Sequence, residues 1–321
     1  MKHTILAILA GIVSGALALA TMSGASFAIL FLSLVHTLPL YYAGLSLGTR
    51  PAMIAAASSV LSLSLISPNM GMVFGVLYAV PAWVIIRLTL SGPQGVVTDV
   101  PEGQSPPTEP SDLGWFPVGY IVAVLAAIGG LFVLGASLLT GGGLEQAINE
   151  VLQDFAKLIG SQSKGSAQDE AVLEQAVLSL VPYFAGSAAA MWALGQAINM
   201  VFAQGLLAKG GRNIRPTPRL RDLTLPDALS WALVLMAVVA LAAPGELGYI
   251  GRNIAIVLAV PFFFLGLAVV HKLAAMTPMK GPVLALVYLV MIFTGWMAFI
   301  VAGLGILEQW IGLRNRMDQP D

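Results

Sequence analysis

Long uninterrupted apolar runs constrain this chain more than any other feature. Hydropathy separates nine of them: Thr4 to Thr21, Ala25 to Leu47, Pro51 to Ile66, Met70 to Leu90, Phe116 to Leu139, Val181 to Ala208, Ala228 to Ala243, Asn253 to His271 and Pro282 to Leu304. A backbone amide or carbonyl without a partner costs several kcal/mol in a bilayer, so such runs must become helices or a closed barrel. They lack the apolar/polar alternation of barrel strands and read as helices. Only 10% of residues are charged, against roughly 25% in an average soluble domain. The expected fold is an all-α polytopic transmembrane helix bundle. It has nine spans, or eight if the short third or seventh run is re-entrant.

The positive-inside rule places the N-terminus in the cytoplasm. Lys2, Arg50, Arg87, Lys209, Arg212, Arg215, Arg219, Arg221, Lys272 and Lys280 then share the cytoplasmic side, which is ten of the fifteen basic residues. Lys157, Lys164, Arg252, Arg314 and Arg316 fall outside on a nine-span count. An even number of crossings after Lys280, or a C-terminal helix lying on the membrane, would bring the last two back. The apolar run from Ile5 behind Lys2 has the look of a secretory signal, with small residues such as Ala16 and Ala18. A second long apolar run follows almost at once, which fits an uncleaved first span better.

Two polar interruptions organise the chain. Ser91 to Gly114 is rich in proline and acid (Pro101, Glu102, Pro106, Pro107, Glu109, Pro110, Asp112) and reads as an unstructured cytoplasmic loop. It divides a four-span unit, residues 1–90, from a second transmembrane unit, residues 116–321, across a linker of residues 91–115. The other interruption, residues 141–180, is helical in pattern. Leu144, Ile148, Val151, Leu152, Phe155 and Ile159 recur at three- and four-residue spacing, with Glu145, Glu150, Asp154 and Lys157 on the opposite face. After a polar turn, Ser161 to Ala167, a second segment carries Asp169, Glu170 and Glu174. The pair is expected to form an extracytoplasmic amphipathic helical hairpin, as an interfacial packing element or a lid.

Several function classes drop out. A net charge of −1 gives no reason to expect a nucleic-acid partner. The chain has no cysteine, hence no thiolate chemistry. All sixteen acidic residues fall in loops, inserts or tails, which argues against a proton relay through embedded carboxylates. There is no HExxH, GxSxG or phosphate-loop motif, and His3, His36 and His271 are scattered. No catalytic residue, cofactor or metal site is expected, and the chain is not read as an enzyme.

The candidate binding residues are polar groups inside apolar runs. His36 lies just before Pro39, which lacks an amide hydrogen and should kink the helix. Thr37 and Tyr41 neighbour it. Gln196 and Asn199 are three residues apart and share one helical face, with Gln204 further round. Helix–helix adhesion explains such residues as readily as ligand binding does. Small residues at every fourth position, Ala7, Gly11 and Gly15 beside Ala10, Ser14 and Ala18, give the first helix a flat docking face for a helix of this chain or of a membrane partner.

The stretch TLPLYYAGLSLGTRPAMIAAASSVL, Thr37 to Leu61, and the closing GLGILEQWIGLRNR, Gly303 to Arg316, resemble the YybS-like family of bacterial membrane proteins, domain of unknown function 2232. That family is similar to the substrate-binding S-components of energy-coupling-factor transporters. The resemblance implies a multi-pass protein of the bacterial inner membrane that binds a vitamin- or metal-sized ligand and docks on a membrane coupling subunit through its first helix. The expected ligand residues are His36, Thr37, Tyr41, Gln196 and Asn199. The alternative is a non-catalytic accessory or scaffold protein of another membrane complex.

Overall fold

A computed structural model of the protein describes residues 1–21, 32–92, 114–162 and 167–317. The helices among them are α1 (Lys2–Ala20), α2 (Leu38–Leu47), α3 (Thr49–Ser64), α4 (Pro68–Thr89), α5 (Val118–Leu139), α6 (Leu144–Gln162), α7 (Ala167–Leu178), α8 (Phe184–Lys209), α9 (Asp227–Ala242), α10 (Gly245–Ala275), α11 (Lys280–Thr294), α12 (Met297–Ile311) and α13 (Leu313–Met317). The described residues form no strand. Most of the Ser91 to Gly114 loop, the middle of the Ser161 to Ala167 turn and residues 22–31, which include the start of the second apolar run, lie outside the described residues.

Five stretches among the described residues are long and apolar enough to cross a membrane: α1, α4, α5, Gln168–Lys209 (which contains α8) and α10. The other apolar runs give shorter helices. At a rise of 1.5 Å per residue, the 16 residues of α3 reach about 24 Å, against a hydrocarbon core of about 30 Å. The ninth run, read as one helix from Pro282 to Leu304, is two. Gly295 takes φ +66° after α11, and α12 begins two residues later. A hydropathy window sees only the apolarity on both sides of such a glycine.

The described chain packs as two compact units. The first comprises Met1–Leu125 and Leu194–Thr224, and the second Ala126–Ala193 and Leu225–Asp321.

In the first unit α1 lies on α3. Ala7, Gly11, Ser14 and Gly15 are buried. A methyl group on Gly11 would strike the Ala55 carbonyl and Ser58, and one on Gly15 would strike Ser62. The serines of α3 can line this contact because they return their hydrogens to their own helix, Ser59 to Ala56 O at 2.7 Å and Ser62 to Ser59 O at 2.8 Å. Gly48, at φ +102°, ends α2 and lets α3 start immediately.

In the second unit α10 is the central element, packed against α9, α11 and α12. Its crossing with α12 is made by reciprocal glycines: a side chain on Gly266 would hit the Val301 carbonyl, and one on Gly305 the Phe262 carbonyl. Where helices end inside this unit, a side chain takes over the loose backbone groups. The Glu246 carboxylate accepts from Ser137 Oγ at 2.7 Å and from the Leu144 and Glu145 amides at 3.1 and 3.4 Å, so it caps α6 at the positive end of its dipole. Fully buried Asn253 accepts from the Gly186 amide at 2.6 Å and donates to the carbonyls of Pro182 and Tyr249 at 3.1 and 2.8 Å. Helices α6 and α7 pack against each other, with Leu144, Leu152 and Ala156 buried and Val151, Phe155 and Leu158 left as an exposed apolar stripe.

The closing segment is a lock. Arg314 donates from Nε to Glu308 Oε1 at 2.7 Å and from its backbone amide to Oε2 at 3.0 Å, with both side chains largely buried. Removing one member of such a pair strands the other charge and costs about 3–5 kcal/mol. We expect Glu308→Ala to lower the unfolding free energy in mixed micelles by about 3 kcal/mol, and Glu308→Ala with Arg314→Ala to lose less than the sum of the single changes. Additive losses would show that the pair is not a lock.

Candidate functional site

The second apolar run does not kink at Pro39; it breaks. A helical turn at 32–35 ends, His36 and Thr37 form a turn, and α2 restarts at Leu38. Pro39 has no amide hydrogen to give the Val35 carbonyl, so the preceding turn cannot continue as helix. A break at this point frees backbone carbonyls that apolar surroundings cannot satisfy. Two distant side chains supply the missing donors. Ser14 Oγ of α1 donates to His36 O at 2.6 Å, and Asn199 Nδ2 of α8 donates to Leu34 O at 2.6 Å. Asn199 also donates to Gly195 O at 2.7 Å, so both its contacts hold backbone.

At this junction His36 meets a second irregularity. The middle of α4, Gly75–Ala79, is a π-helical turn, followed by Val80 and then Pro81. Such turns are wide insertions in an α-helix and recur at functional sites. Tyr78 lies on it with its ring edge-on to His36, centroids 4.5 Å apart, and Phe74 is 5.9 Å from the same imidazole. His36 Nδ1 is 2.7 Å from Ser33 O. A carbonyl only accepts, so Nδ1 carries the hydrogen and neutral Nε2 is left as an acceptor.

Nε2 of His36 is buried and has no hydrogen-bond partner. The Tyr41 hydroxyl, one helical turn beyond Thr37, is in the same condition, as are both amide atoms of Gln196, one turn before Asn199 on α8. A buried polar group left without a partner costs about 1–3 kcal/mol. All five predicted ligand residues are buried, with Gln196 only 2% exposed, and all belong to the first unit. They divide by role. Asn199 is occupied with backbone, Thr37 lies at the break, and His36, Tyr41 and Gln196 carry unused hydrogen-bonding capacity. Together with Phe74 and Tyr78 they offer donors, acceptors and aromatic edges, with no formal charge while His36 is neutral.

Sequence reading missed Ser14 as a donor, having taken it for a small packing residue, and missed Phe74 and Tyr78 because aromatic residues in an apolar run carry no distinguishing signal. The docking face of α1 is engaged by α3 through Ala7, Gly11, Ser14 and Gly15, while Ala10 and Ala18 are half-buried. Among the described residues no three His, Asp or Glu side chains gather as a metal site.

The family described as "Predicted membrane protein (DUF2232)" matches residues 12–308, and the chain belongs to it. No curated protein and no solved structure matches the chain.

The two kinds of polar residue should respond oppositely to substitution. Asn199→Leu strands the Leu34 carbonyl and is expected to cost about 2 kcal/mol. Tyr41→Phe removes a hydroxyl that bonds to nothing and should leave the ligand-free protein equally or more stable. Thermal unfolding of the two variants in detergent checks this; a Tyr41→Phe loss as large as that of Asn199→Leu would mean the hydroxyl has a structural partner.

Proposed function

We propose that this member of the DUF2232 family is a membrane component that binds a small molecule without turning it over, in the manner of the S-components it resembles. The observation that carries the reading is the unused hydrogen-bonding capacity of His36, Tyr41 and Gln196 beside a broken helix. Groups that only glue helices together are paired with those helices, as Asn199 and Asn253 are; groups that are buried and unpaired fit a guest. An uncharged guest is favoured, because an isolated charge at such a place would cost far more than these dipoles return. The matching ligand has both a donor and an acceptor, and a flat apolar portion to lie against Phe74 and Tyr78.

The wider reading is a protein of the bacterial inner membrane with eight or nine apolar crossings, a cytoplasmic N-terminus and the α6–α7 hairpin outside. For the C-terminus, Gln309 donates to Asp227 Oδ1 at 3.0 Å and Leu225 O at 3.4 Å. That favours the side of the basic loop before α9 for Arg314 and Arg316, in keeping with the positive-inside rule. A coupling subunit that docked on α1 would meet Ile5, Leu9 and Ile12, which are exposed, because the small-residue face is engaged with α3. The second reading, an accessory or scaffold protein, draws on α11, which buries none of its residues and leaves Leu286, Leu289, Ile292 and Phe293 exposed for a lateral neighbour.

Mass spectrometry of the full chain, purified in mild detergent from native membranes, tests the two readings together. The expected result is one small molecule retained near equimolar ratio by the wild type and lost from His36→Phe and Gln196→Leu, both of which still insert. Retention unchanged in both variants would place the site elsewhere. A stable membrane complex with no retained molecule would overturn binding in favour of the scaffold.

A further inference from the structure

Arg215 belongs to the basic loop between α8 and α9, where the positive-inside rule counts it among the cytoplasmic cations. Unlike its exposed neighbour Arg212, it is 6% exposed. Its backbone is pinned: Gln204 Nε2 and Asn213 Nδ2 donate to the Arg215 carbonyl at 2.7 and 2.8 Å. Its side chain is directed inward, with Nη1 donating to Thr89 O at 3.2 Å at the end of α4 and the guanidinium 5.8 Å from the centre of the Trp115 ring. The negative end of the α4 dipole and the aromatic face offset part of the cost of burying a cation. They use one of the five N–H donors of the group.

No carboxylate lies within ion-pair distance of Arg215 among the described residues. Fully buried arginines are almost always paired. Here burial holds the guanidinium below the usual arginine range. The group also forms part of the wall of a cavity of about 210 Å³, together with Trp115, Pro117, Pro216 and Arg219. One carboxylate, Asp222, reaches this wall, and it sits 3.7 Å from Arg221 Nε.

We propose that this cavity binds a phosphate-type oxyanion, seated on the free edge of the Arg215 guanidinium. The planar fork of an arginine matches two oxygens of a phosphate at once. A volume of about 210 Å³ accommodates a phosphate with a short polar substituent. Both the headgroup of an anionic lipid and a soluble phosphate carry the required chemistry, and the cavity lies on the loop that follows the membrane helix α8. The cavity shares no residue with the uncharged polar group of His36, Tyr41 and Gln196, so the two proposals are tested separately.

The test measures thermal unfolding of the purified full chain in two arms at constant ionic strength. One adds inorganic phosphate in place of chloride to protein in phosphatidylcholine nanodiscs; the other replaces part of the phosphatidylcholine with phosphatidylglycerol. We expect a rise in Tm of about 3 °C in at least one arm, absent in Arg215→Gln and retained in Arg212→Gln. A rise with phosphate identifies a soluble ligand, and a rise with phosphatidylglycerol alone a lipid headgroup. No rise in either arm, or a rise that Arg215→Gln keeps, would overturn the proposal and leave Arg215 as a structural cap of α4. So would a loss of stability from Glu109→Gln with Asp112→Asn that is not additive with that of Arg215→Gln, since the counter-ion would then be the chain's own.

Discussion

A helix that ends within an apolar stretch leaves amides or carbonyls that neither lipid nor aliphatic side chains can satisfy. Much of the protein's internal polarity is arranged around that constraint. Ser14 and Asn199 serve the break at residues 34–36, Glu246 serves the start of α6, Asn253 the entry to α8, Arg215 the end of α4, and Glu308 the amide of Arg314. Each is a side chain from one segment that completes the backbone of another. These bonds do what apolar packing alone does poorly in a membrane, where lipid tails compete on equal terms for every leucine. They fix which helix end meets which partner.

Against this pattern the candidate site stands out by contrast. His36 Nε2, the Tyr41 hydroxyl and the Gln196 amide complete no broken backbone and pair with no side chain. Arg215 belongs to both groups, since it caps α4 with one donor and presents the rest of a charged group to a cavity wall. Surplus polarity, rather than polarity as such, is what the two proposed sites share, and Ser230 Oγ of α9 is a further buried polar atom without a partner.

The helices were legible in the sequence because lipid-like apolarity is a property of runs, and runs survive without knowledge of neighbours. His36, Gln196 and Asn199 were legible for the same reason, as polar exceptions inside those runs. The break at Gly295 was hidden, because one residue with a positive φ does not alter the average around it. Arg215 was hidden as well: a loop arginine reads as solvated until Gln204 and Asn213 are seen turning its backbone inward. The tail motif ending in Arg314 was visible as a pattern, yet its meaning as an ion pair to Glu308 required the turn at Gly312 that brings the two together.

The π turn of α4 sets the geometry between two distant points of the first unit. Tyr78, which faces His36, and Thr89, whose carbonyl holds Arg215, are carried by the same rod, about 16 Å apart along its axis. A π turn is in effect one residue of slack in an α-helix. Were the slack taken up, everything beyond it would rotate by about 100°, and the carbonyl of Thr89 would swing with it. The turn beside His36 and the carbonyl that Arg215 holds are thus two points on one helix.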